Sequence, residues 1–192
     1  MDRLRARSVC DVDDGLSDEE IARVEEAFGF RFADDHRAFL TAGLPVNTRP
    51  EPSVAGVIAV YREPWPDWRH QDAETLRSRI SWPVEGVLFD VENNHFWYAA
   101  WGARPERPEE AVEIARRALA HAPVMVPIYG HRYLPGGAGK YGHPVLSLWQ
   151  TDIIYYGLDI VDYIDREFGG AGLCQDAEGT PQATVEFWRD LV

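Results

Sequence analysis

Three short apolar runs in the second half of the chain constrain the fold more than any other feature. They are VMVPIYGHRYLP (124–135), PVLSLWQ (144–150) and DIIYYG (152–157), each cut off by glycine, proline or a polar turn. Runs of this length, rich in Val, Ile, Leu and Tyr, read as strands. Tyr155 and Tyr156 alternate along the last of them, so one is expected to face the core and the other the surface. A helix follows from Asp159 to Phe168, with Ile160, Val161, Ile164 and Phe168 expected to turn inward.

Helices are written at the other end as well. In GLSDEEIARVEEAFGFRF, Ser17 and Glu20 stand at capping-box spacing, Ile21, Val24 and Phe28 share a face, and Gly29 ends the helix. Phe30 to Phe32 is a short extended link, and a second helix is predicted from Asp34 or Asp35 through Leu40, stopped by Gly43 and Pro45. RPEEAVEIARRALAHAP carries Pro108 and two glutamates in its first turn and Arg116 and Arg117 late, as a helix dipole favours. The fold class is therefore α+β: a mostly antiparallel sheet in the second half, packed with helices from both ends and mid-chain.

Other stretches carry less pattern. VAGVIAVY suggests a strand, REPWPDWRHQD a loop, and DAETLRSRI a short helix; together they make a long insertion around 44–80. Val87, Phe89 and Val91 alternate with Leu88 and Asp90, which predicts a strand closed by an Asn93-Asn94 turn. ATVEFWRDLV suggests a last short helix. Residues 1–15 read as an N-terminal arm, leaving 16–192 as one domain.

Charge narrows the partners. The net charge is −13; residues 11–26 carry eight acidic groups against one Arg, and 152–192 nine against two. Nucleic-acid affinity rests on Lys and Arg neutralising phosphates, so no nucleic-acid partner is expected. A basic protein partner would gain association rate from such a surface. No apolar run approaches the ~20 residues of a membrane span. Two cysteines, Cys10 and Cys174, make no disulfide framework, and a cytoplasmic location is expected.

LPGGAGKYGHP (134–144) ends in a Gly-Lys that invites comparison with a phosphate-binding loop. That motif needs Gly, four residues, Gly-Lys, then Ser or Thr. Here Leu134 stands at the first glycine position and Tyr141 at the hydroxyl, and a strand follows instead of a helix. The segment reads as a mobile sheet-edge hairpin loop. His131 and His143 flank it and, with Asp152, form the candidate set for a small metal-dependent enzyme, although none of the six histidines shows HxxxH or HExxH spacing. Ser147 lacks a nucleophile elbow and neither cysteine has a neighbouring His. No cofactor, metal site or catalytic residue is assigned.

Taken together, three stretches resemble the SMI1/KNR4 family, also called the SUKH superfamily. They are LSDEEIARVEEAFGFRFADDHRAFLTAGLP, WPVEGVLFDVENNHFWYAAWG, and VPIYGHRYLP running on to HPVLSLWQTDIIYYGLDIVDYIDREFG. Ala33 stands where the family usually has Pro, His36 where an aromatic is common, and 44–80 is longer than the pattern. The resemblance implies a SUKH-like α+β fold and a non-enzymatic protein-binding module. Many bacterial members resemble immunity proteins that neutralise toxins; fungal members resemble regulatory scaffolds that bind several partners. The expected partner contacts are Tyr133, Lys140, Tyr141, Trp149, Asp152 and Tyr156, with acidic help from Asp18 and Glu19. The pattern does not decide the oligomeric state.

Overall fold

A reciprocal cap starts the second helix: the Ser17 N–H donates to Glu20 Oε2 at 2.8 Å and the Glu20 N–H to Ser17 Oγ at 3.2 Å. The computed structural model describes residues 1–47, 64–169, 181 and 183–192. In chain order these form α1 (Asp2–Arg7), β1 (Asp11–Asp13), α2 (Asp18–Phe28), α3 (Asp34–Ala42), β2 (Leu44–Val46), α4 (Ala73–Asn93), α5 (Pro108–Leu119), β3 (Met125–Tyr129), β4 (Arg132–Pro135), β5 (Val145–Trp149), β6 (Asp152–Gly157) and α6 (Ile160–Phe168). Short 3₁₀ turns lie at Ala99–Trp101 and Trp188–Leu191. The protein is mixed α+β, with six α-helices among the described residues. None of these helices is long and apolar enough to cross a membrane.

Strands β3 to β6 form an antiparallel meander in sequence order, covered on both faces. Met125, Tyr133, Leu146, Leu148 and Ile153 point one way, onto Val87, Leu88 and Val91 of α4, Ala111 and Ala115 of α5, and Trp188. Ile128, Leu134 and Val145 point the other way, onto Leu4 of α1, Trp65, and Ile160, Tyr163 and Ile164 of α6. Tyr155 and Tyr156 follow this division. Each is partly buried, Tyr155 against the first cluster and Tyr156 against the second, because neither face of the sheet is open to solvent. A third cluster joins α2 and α3 to Trp68, Leu76 and Val126.

Two expectations are corrected by α4. Residues 87–91 are helical, and the short helix expected at 72–80 belongs to the same 21-residue element. Buried Val87, Leu88 and Val91, with Val84 partly buried beside them, fall at i, i+3, i+4 and i+7. Phe89, whose alternation suggested a strand, lies outside that stripe and is 48% exposed. Pro83 sits inside the helix, where a missing N–H leaves the carbonyl four residues back without its donor. That carbonyl belongs to Arg79, and the buried Tyr133 hydroxyl donates to it at 3.0 Å. Farther along, buried Asp90 accepts from the Thr151 N–H at 2.9 Å and hydroxyl at 2.6 Å, tying α4 to the β5–β6 turn.

The N-terminal arm is packed against the rest of the fold. Leu4 is fully buried, and β1 pairs antiparallel with β2, Asp11 opposite Val46 and Asp13 opposite Leu44. Just after β1, Gly15 lets the chain pass close to the end of α3: a Cβ there would lie 1.8 Å from the Thr41 carbonyl oxygen. Cys10 is buried in the second cluster, and burial, aided by Asp11, pushes its thiol up to about 11. The expected terminal helix is only the 3₁₀ turn at Trp188–Leu191. Val161, expected to turn inward, is 64% exposed on α6. Cys174 and the strand expected at 54–61 lie outside the described residues.

Candidate partner-binding surface

The glycine loop joins β4 to β5, the two inner strands of the meander, so it is not at a sheet edge. Nor is it loose. The Gly136 N–H donates to the Val124 carbonyl at 2.8 Å and the Gly137 N–H to the Arg31 carbonyl at 2.7 Å. Farther on, the Gly139 N–H donates to Asp34 Oδ1 at 2.9 Å, and the Gly142 N–H to Asp35 Oδ2 at 2.8 Å. The Asp34 N–H returns a bond to the Lys140 carbonyl at 2.7 Å. Gly139 and Gly142 have φ of 75° and 66°, a left-handed backbone that glycine adopts without strain and that aims these N–H groups at α3. A phosphate cradle would need such N–H groups free. Here the chain's own carboxylates occupy them.

Asp34 and Asp35 form the first turn of α3, where negative charge also complements the helix dipole. Asp35 Oδ1 accepts from the His36 N–H at 2.9 Å. Behind them His36 is buried edge-on to Phe32, its Nδ1 without a hydrogen-bond partner, and burial holds its pKa down to about 3. One turn along α3, Arg37 donates to Asp18 Oδ1 at 2.6 Å across to the start of α2. Next to Asp18, Glu20 accepts from Arg69 Nε at 2.6 Å; that bond, with the cap from Ser17, lowers its pKa to about 2.

Four of the expected contact residues are thus arranged around α3. Asp18 and Glu19 are exposed at the start of α2, and Lys140 and Tyr141 are exposed on the docked loop, Tyr141 to 71%. The other four lie elsewhere. Tyr133 is fully buried and its phenol is pushed up by that burial, so it is a core residue and not a partner contact. The Tyr156 ring lies under the Arg132 guanidinium, 3.6 Å from its carbon to the ring centroid. Trp149 and Asp152 face each other across the β5–β6 turn, Trp149 packing against Trp82 and His131, both with ring centroids at 5.8 Å.

The histidines flanking the loop are drawn apart by the register. His131 lies opposite Leu148, whose N–H donates to its carbonyl at 3.0 Å, whereas His143 precedes β5 by two residues. Five residues of extended chain separate those positions, roughly 16 Å. Among the described residues no three His, Cys, Asp or Glu side chains are grouped to hold a metal ion. Burial lowers the pKa of His131 to about 4 and that of His143 as well. Sequence reasoning missed the clamp formed on the loop by Asp34 and Asp35. Its signal was the acidic pair opening the second helix, read there only as a helix start.

Compared with known proteins, the chain matches no family model, no curated protein and no solved structure. The fold and the surface together define a mixed α+β protein that presents an anchored loop beside acidic helix starts.

Proposed function

We propose that the chain is a non-enzymatic, cytoplasmic protein-binding module of SUKH type, an immunity protein that neutralises a basic toxin by masking it. The observation that carries this reading is the occupation of the Gly139 and Gly142 N–H groups by Asp34 and Asp35. It turns a loop of phosphate-binding appearance into a fixed platform for Lys140 and Tyr141. An exposed tyrosine on a rigid base is typical material for a binding hot spot. Asp18 and Glu19, with Asp11, Asp13 and Asp14 exposed on and after β1, supply an acidic flank that would steer a basic partner.

The test is the stoichiometry and salt dependence of complex formation with a basic toxin domain captured by the chain. A tight one-to-one complex that weakens with salt supports the reading. Weak binding to several unrelated proteins overturns it in favour of a scaffold.

A further inference from the structure

Beside the docked loop, α1, α3 and α6 leave an open groove of about 500 Å³. Phe39, Ile160, Val161 and Ile164 give it an apolar floor, and Ala38 adds a small residue to one wall. Three carboxylates stand at its margin, Asp2, Asp35 and Asp165, with Met1 beside them and Arg5 within 3.7 Å of Asp2, and no lysine or arginine is among the described residues that line it. Apolar side chains on α6 are normally turned to the core, as Ile160 and Ile164 are. Val161 is not: it remains 64% exposed and lines the groove. Asp35 belongs to both features, lining the groove while its Oδ2 holds the Gly142 N–H.

We infer that this groove seats a short basic segment of the protein partner, one apolar anchor side chain entering between Phe39 and Val161 and flanking Lys or Arg side chains meeting the carboxylates. The inference rests on the proposed function and adds to it where the partner is anchored and by what chemistry. Charge complementarity selects the occupant. An acidic segment or an anionic membrane surface would meet a margin of its own sign, which costs affinity and association rate. An anchor packed into an apolar cleft is the usual centre of such an interface, with the charges at the rim governing rate and salt response.

The probe is a short amphipathic Lys/Leu peptide titrated into the full chain at low and high salt, followed by backbone amide chemical shifts, with a Glu/Leu peptide as control. The expected result is shifts centred on Phe39, Ile160, Val161 and Ile164 with the Lys/Leu peptide alone, weakening as salt rises. Val161→Lys, at an exposed position, should keep the wild-type melting temperature and lose about tenfold in affinity. Shifts centred elsewhere, equal binding of both peptides, or unchanged affinity in Val161→Lys overturns the inference. So does a wild-type dimer that becomes monomeric in Val161→Lys, which would make the groove a self-interface. A basic toxin bound equally by wild type and Val161→Lys overturns the groove alone and leaves the proposed function standing.

Discussion

The Tyr133 hydroxyl supplies to the Arg79 carbonyl the hydrogen bond that Pro83, lacking an N–H, withholds from it. Sheet and helix are joined there by a polar contact inside an apolar cluster. Tyr133→Phe keeps the ring and strips the donor, removing this hydrogen bond to the Arg79 carbonyl. The expected cost is about 1–2 kcal/mol in urea unfolding. Restoring the helical donor by Pro83→Ala in the same chain should recover much of it. Partner binding should be untouched by either change.

Burial of His36 makes stability depend on pH. Its pKa is about 3 in the folded chain against 6.5 unfolded, so the unfolded state takes the proton first. Stability is then fully present above pH 6.5 and is lost as pH falls toward 3, by about 1.4 kcal/mol per pH unit. Between pH 7 and pH 5 the loss from this residue is about 2 kcal/mol. His131 and His143, also lowered, act in the same direction. Denaturant unfolding of wild type and His36→Phe at both pH values isolates the His36 share, and equal slopes for the two proteins would contradict its assignment.

The clamp on the glycine loop is measurable residue by residue. Asp35→Ala should speed amide hydrogen exchange at Gly142 while leaving strand amides such as Leu146 protected. A stability loss of about 1 kcal/mol is expected, reduced by the solvent exposure of the site. Asp34→Ala should do the same at Gly139.

Gly15 reports on the N-terminal packing. A Cβ at that position meets the Thr41 carbonyl oxygen at 1.8 Å, and backbone cannot yield as a flexible side chain can. Gly15→Ala should cost about 1–3 kcal/mol, the range of an overpacked core. Thermal unfolding checks this; an unchanged melting temperature would contradict the packing of β1 and β2 against α3.

Elements with a local signature were legible in the sequence. The capping box of Ser17 and Glu20, Pro108 at the start of α5 and the Gly-bounded strand runs each fix a boundary within a few residues, and the helices and strands fall there. The 87–91 segment was not legible, because a short buried apolar run satisfies a helix stripe and a strand equally. Pro83 deepened the ambiguity, since the hydroxyl that lets it sit inside a helix comes from Tyr133, fifty residues away. The packing of the arm was not legible for a related reason. Leu4 and Cys10 are buried by α6 and its neighbours, contacts no local pattern announces. At the candidate surface, Tyr141 and Lys140 were found as loop residues. The carboxylates that hold their loop lie more than a hundred positions earlier, and only the fold brings them together.

The most direct measurement of the central claim is capture of protein partners by tagged wild type and by a Glu19→Lys/Tyr141→Ala double variant, at low and high salt, from lysate supplemented with material from competing cells. The account predicts one dominant basic protein on the wild type, partly released by salt and absent from the variant. The same proteins on both, or no basic protein on the wild type, would contradict it.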